Sequence, residues 1–261
     1  MNLSSQPWAG DAVAGQGRTK TAYGVDGCKA GWFFVRIQAR DISHGIVSHL
    51  SELVEQAPRG SQVFVDIPIG LRDDDGGSRG CDAAARRLLG SPRSSSIFNA
   101  PVRAILPQTE YAEANAQSKR VSGKGLSRQS FAITPKIKEV DELICGSRKA
   151  RSIVREAHPE LCFFGLAGRR PMVHGKKSKA GFQERLAVLN RHCAVAGAVV
   201  DKAVSAYPRK QVAADDVLDA FVCAITAKMP EYWRTAPENP ETDSQGLPME
   251  IVYCDSEDLR A

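Results

Sequence analysis

Five acidic residues stand where their neighbours predict burial. Asp26 ends the apolar run TAYGVD between Gly24 and Gly27, and Asp66 interrupts the apolar run VFVDIPI. Glu156 closes SIVRE, while Asp216 and Asp219 lie three apart in ADDVLDAF. On a helix those two share a face, with Leu218, Phe221, Val222 and Ile225 supplying the buried side. Burying an unpaired carboxylate costs roughly several kcal/mol, so converging acids need basic partners or metal ions. Hard oxygen ligands suit Mg²⁺ or Mn²⁺. A pair of such ions about 4 Å apart activates a water and stabilises the leaving oxygen of an in-line displacement. Taken singly, each acid also reads as a turn former or a helix cap. The joint pattern of three strand-end acids and a helical Asp-x-x-Asp is what points to a metal site.

Basic residues around these acids suit a phosphate-handling site. Lys29 lies in the first turn, and Lys179 and Arg185 stand near the start of a long helix, where the alternative is a solvated face. GRRPMVHGKKSK, residues 168–179, is the strongest basic run and a candidate nucleic-acid contact or an ordinary exposed loop. His158 and Glu160, in AHPEL, are candidates for a second layer holding Glu156, with His158 alternatively a turn residue or a proton-transfer group. A zinc site from His158, Cys162, His192 and Cys193 lacks a recognised spacing, and no GxSxG motif is present.

These side chains need a scaffold, and 261 residues with 43% hydrophobic and 25% charged content can build one large α/β domain. The net charge of +5 permits a polyanionic partner without demanding one. Seven scattered cysteines without a CxxC pair, and an N-terminus without an apolar signal core, predict a reduced cytoplasmic protein. No apolar run is long enough to span a bilayer. Residues 1–19 read as a disordered tail and 20–261 as one domain, with 72–150 mostly insertion. Thr21–Asp26 and Gly31–Ala39 predict a hairpin, Gly45–Leu50 a third strand and Ser51–Ala57 a short helix. A central strand in SQVFVDIPIGL precedes helices at Cys81–Leu89 and Thr134–Cys145, the latter with Thr134 as N-cap and Pro135 first. QSKRVSGKGLSR reads as a flexible basic loop and SIVREAHPELCF as a strand turned by His158-Pro159. One amphipathic helix fits Gly181–Ala206, a last helix fits ADDVLDAFVCAITAK, and GLPMEIVYC offers a terminal strand. Such an order predicts a mixed sheet flanked by helices.

GVDGCKAGW, VDIPIGL, CDAAARRLLG with SIFNAPVR, REAHPELCFFGLAG, KAGFQERL and DDVLDAF together resemble the domain of unknown function 429 family, over about residues 23–253. That family is described as predicted ribonuclease H-like nucleases related to Holliday-junction resolvases. The resemblance implies a ribonuclease H-like mixed sheet with Asp26 on the first strand, Asp66 on the fourth and Glu156 on the fifth, with the large insertion between the last two. It implies a metal-dependent nuclease acting on DNA or RNA, in which Asp26 and one of Asp216 and Asp219 bind Mg²⁺ or Mn²⁺. Two other readings stand beside it. One is a phosphotransferase or ATPase of the sugar-kinase and actin class, which shares the strand-Asp-Gly turn. The other is a catalytically silent module that binds nucleic acid or a partner, and a homodimer is compatible with any of them.

Overall fold

The structure, a computed structural model, describes residues 21–74 and 78–255. Strands β1 (Thr21–Cys28) and β2 (Gly31–Gln38) pair antiparallel from Thr21↔Gln38 to Cys28↔Gly31, leaving Lys29 and Ala30 as the turn. Gly31 carries φ of 128°, and a Cβ there would lie 2.3 Å from the Val47 carbonyl oxygen, so the turn needs a glycine. Strand β3 (Asp41–Val47) extends the sheet antiparallel to β2. After helix α1 (Leu50–Gln56), strand β4 (Gln62–Val65) pairs parallel with β1.

Helices α2 (Gly80–Leu89), α3 (Tyr111–Ser122), α4 (Arg128–Gly146) and α5 (Arg148–Ile153) fill the stretch before strand β5 (Val154–Glu156), which lies parallel to β4. Helices α6 (Pro159–Leu166), α7 (Lys179–His192), α8 (Ala196–Ala206) and α9 (Ala214–Lys228) follow. Strands β6 (Trp233–Ala236) and β7 (Ile251–Cys254) form a separate antiparallel pair. The main sheet is five-stranded and mixed, in the order β3-β2-β1-β4-β5.

Side chains alternate across a sheet, so parity decides what each residue faces. Ala22, Phe33, Val35 and Phe64 pack with residues of α6 to α9 on one face, whereas Tyr23, Val25, Trp32, Val63 and Val65 pack with α1, α4 and α5 on the other. Helix α9 lies directly on β1. A Cβ at Gly24 would stand 2.0 Å from the Ala220 carbonyl oxygen and 2.1 Å from the Ala224 nitrogen, so strand and helix backbones touch there. Asp26 has the parity of Gly24 and therefore shares the α9 side.

Several boundaries differ from expectation, each for a local reason. The third strand is Asp41–Val47, because Leu50 already begins α1. Ser127 caps α4 by accepting from the Ser130 N–H, which places Pro135 inside the helix rather than at its start. Residues 117–122 of the expected loop belong to α3, which stops at Gly123 in the left-handed conformation. Only Val154–Glu156 is strand in the segment before His158, and Pro159 opens α6 instead of simply turning the chain. The single helix expected over Gly181–Ala206 is two, divided at Cys193–Val195, with Val195 53% exposed at the break. The tail contributes β6, which had no signal among its Pro and Glu residues. The proposed N-terminal tail of residues 1–19 lies outside the described residues. Among the described residues no helix is long and apolar enough to cross a membrane.

Candidate functional site

Asp26 and Asp66 meet because β1 and β4 are parallel neighbours. Val25 pairs with Val65, and the Asp66 N–H donates to the Val25 carbonyl at 3.0 Å, carrying the ladder one residue past the end of β4. Both side chains then project toward α9, whose Asp219 is 2% exposed. Burial, followed by the charges of Asp66 and Asp219, holds the Asp26 carboxyl well above the ordinary range. Burial raises Asp66 too, His158 and Lys176 oppose it, and Glu160 adds to it. Asp219 is pushed up to about 7, by burial against the pull of Lys176, with Asp66 and Glu160 contributing. Asp26 thus feels both Asp66 and Asp219, and Asp219 feels Asp66. Asp216 stands at the rim, half-buried, its carboxylate accepting from the Ala213 N–H at 2.8 Å at the start of α9.

The cation among these acids is Lys176. Its Nζ donates to Asp219 Oδ2 at 2.6 Å and lies 3.8 Å from Asp215 Oδ2. Burial works against its charge, yet Asp219, Asp26 and Asp66 outweigh that and raise its pKa. The sequence placed Lys176 in the basic run 168–179 without distinguishing it, since nothing local marks which lysine of a polar loop turns inward. Lys176 and Asp216 also line a cleft of about 780 Å³, together with Lys29, Lys177, Lys179 and Arg209. Lys29 and Lys179 thus line the same cleft as Asp215 and Asp216, and both are exposed.

Glu156 does not join them. Its register partner is Val65, which faces α1 and α4, so the parity that turns Asp66 toward α9 turns Glu156 the other way. Arg79 grips it with two bonds of 2.8 and 2.7 Å, and the Ile69 N–H donates to it at 2.6 Å. Arg79 in turn bridges to Asp82 at 2.6 Å. Its carboxyl, raised to about 7 by burial against the opposing charge of Arg79, belongs to a closed ion-pair network.

Arg185 departs from expectation as well. It is fully buried, pairs with Glu160, donates to the His174 and Gly181 carbonyls at 3.1 and 3.0 Å, and lies over the Phe163 ring. Its two terminal nitrogens bond inside the protein rather than to a phosphate, and it positions Glu160 and the loop before α7. Glu160 and His158 do not hold Glu156 either. Both act electrostatically on Asp66 from the start of α6. Glu160 is 6% exposed, and its Oε2 and the His158 Nδ1 are buried without a hydrogen-bond partner.

The acids can be tested against the Mg²⁺ or Mn²⁺ expected from the sequence. Among the described residues no three His, Cys, Asp or Glu side chains form a ready-made cage. Mg²⁺ rarely uses one, taking one or two carboxylates and completing its shell with waters and phosphate oxygens. Asp26, Asp66 and Asp219 supply hard oxygens, Lys176 offsets them in part, and the Glu160 oxygen without a hydrogen-bond partner lies within electrostatic reach. The donor set fits.

The family described as Protein of unknown function (DUF429) matches residues 24–242. No curated protein and no solved structure matches the chain.

Proposed function

The chain belongs to the family of unknown function DUF429, and from that premise we propose that it is a ribonuclease H-like, divalent-metal-dependent nuclease that hydrolyses phosphodiester bonds of nucleic acid. One observation carries the reading: Asp26 from β1, Asp66 from the end of β4 and Asp219 from α9 all act on Lys176, which lines a cleft with Lys29, Lys177, Lys179 and Arg209. Acids that only stabilise a fold have no reason to gather with one lysine at the foot of a basic cleft.

Asp26, Asp66 and Asp219 would hold Mg²⁺ or Mn²⁺, with Asp216 at the rim. When bound, the metal supplies positive charge for the phosphoryl oxygens and a more acidic water. The chain's own residues do the rest. Lys29, Lys177, Lys179 and Arg209 attract the polyanion and position its phosphates, an interaction that weakens as salt rises. Arg185 and Glu160 keep the loop before α7 and the start of α6 in place. The described residues form one five-stranded sheet beside a two-stranded pair, which supports a nuclease over a phosphotransferase of the sugar-kinase and actin class, where the larger unit is repeated. A passive binding module gains nothing from the acids.

The test is cleavage of labelled single-stranded, duplex and four-way-junction DNA and RNA with Mn²⁺ or Mg²⁺, with the Asp26→Asn protein purified in parallel. Cutting that needs metal and disappears in the variant supports the proposal. Equal cutting by both proteins, or none alongside no measurable Mn²⁺ binding, rejects it.

A further inference from the structure

We infer that Lys176 is a resident counterion which occupies the cation position of the acid cluster and must leave before a divalent metal binds there. The inference rests on the metal reading above and concerns how that site is filled.

Lys176 differs from every other member of the cluster in how it is held. Asp26 belongs to a strand, Asp66 follows one directly, and Asp219 sits within a helix, so none can withdraw without moving the sheet or α9. Lys176 comes from the segment between α6 and α7, and its side chain is 40% exposed against 2% for Asp219. A four-carbon stem lets its ammonium leave while the backbone stays.

The backbone, by contrast, is fastened. Val173 and His174 donate their N–H groups to Glu184 at 2.7 and 2.9 Å, and Arg185 holds the His174 carbonyl. Ser178 bonds the Gly175 carbonyl through its N–H at 3.0 Å and its hydroxyl at 2.8 Å. Gly181 packs so tightly below that a Cβ would stand 2.1 Å from the Gly175 oxygen. This anchoring delivers Lys176 to the acids while leaving its end free to swing.

Charge supplies the second half of the case. One ammonium faces Asp26, Asp66, Asp215 and Asp219, enough to let the acids share a buried place but not to neutralise them. The buried Glu160 Oε2 without a partner beside them marks the same deficit. A divalent ion offsets more charge from the same position, and the cleft that Lys176 already lines accommodates the released ammonium.

Calorimetric titration with Mn²⁺ separates the outcomes, using wild type, Lys176→Met and Lys176→Arg, with melting curves recorded with and without metal. Removing the competitor should tighten Mn²⁺ binding about tenfold or more in Lys176→Met, while Lys176→Arg stays near wild type. Metal-free Lys176→Met should melt below wild type and gain more from Mn²⁺. Should Lys176→Met fail to fold alone, refolding in Mn²⁺ is expected to rescue it; no rescue means that the lysine is structural and overturns the inference. Unchanged or weaker affinity in Lys176→Met, with wild type still binding Mn²⁺, overturns it and leaves the nuclease reading intact. Absence of Mn²⁺ binding in wild type and variants alike removes both.

Discussion

Glu156 and Asp26 are both buried acids of one sheet, on β5 and β1 with β4 between them, yet their surroundings are finished differently. Around Glu156, Arg79 supplies two bonds and Ile69 a third, while Asp82 and the Ile69 and Gly70 carbonyls engage the remaining guanidinium donors. Around Asp26, Asp66 and Asp219 the cation that bonds to Asp219 is a half-exposed lysine from a loop, which also lines a basic cleft. The first assembly is closed, with the Arg79 and Glu156 donors and acceptors bonded within it. The second stays short of positive charge where solvent can deliver it. Burial alone therefore does not separate structural acids from functional ones; the balance of partners does.

Breaking the closed assembly should give the largest effect. Arg79→Met leaves Glu156 and Asp82 buried without their cation and should cost about 3–5 kcal/mol of unfolding free energy in urea titrations. A loss below about 1 kcal/mol would show that the Arg79 network is not the structural one. Asp26→Asn tests the open assembly in the opposite sense. It relieves like-charge repulsion, so stability should hold within about 1 kcal/mol, while metal-dependent hydrolysis falls about 100-fold or more. If the variant unfolds instead, the distinction between the two regions fails.

Within α9 the contrast sharpens further. Asp219→Asn should weaken Mn²⁺ binding about 10- to 100-fold. Asp216→Asn should change it less than about tenfold and instead cost about 1 kcal/mol through its bond to the Ala213 N–H. Equal effects of the two substitutions on Mn²⁺ affinity, read by calorimetry, would dissolve the difference. A last test concerns pH. Asp219 moves from 3.8 to about 7 on folding, so its contribution to stability is complete below about pH 4 and is lost as pH climbs through 7. Metal-free wild type should melt progressively lower across that window, with a shallower slope in Asp219→Asn. Parallel slopes would exclude Asp219 as a source of the dependence.

The sequence made much of this arrangement readable where period and position agree. The last helix was legible to its ends because apolar residues recur at helical spacing after a pair of acids. Asp26 and Asp66 stood out because charge interrupts apolar strands. Glu156 looked equivalent by the same signal, and only the register of β5 against β4, a long-range property, reveals that it faces away. Lys176 and Arg185 mark the opposite failure. One sits in a polar loop and enters the site, the other on an amphipathic helix and is fully buried. Both depend on partners far along the chain, Asp219 and Glu160, that no local pattern names. The break between α7 and α8 escaped for a similar reason, since Cys193–Val195 contains neither Gly nor Pro.

The bare α-carbon of Gly24 has a consequence for the pair of acids on either side of it. Asp26 is two residues along the strand from that contact, and Asp219 adjoins Ala220 on the helix, so both carboxylates hang from one pivot like jaws from a rivet. A methyl group at position 24 would wedge the helix off the strand by the width of a carbon atom. The jaws would open without either acid being altered, and the spacing between the two carboxylates would be lost.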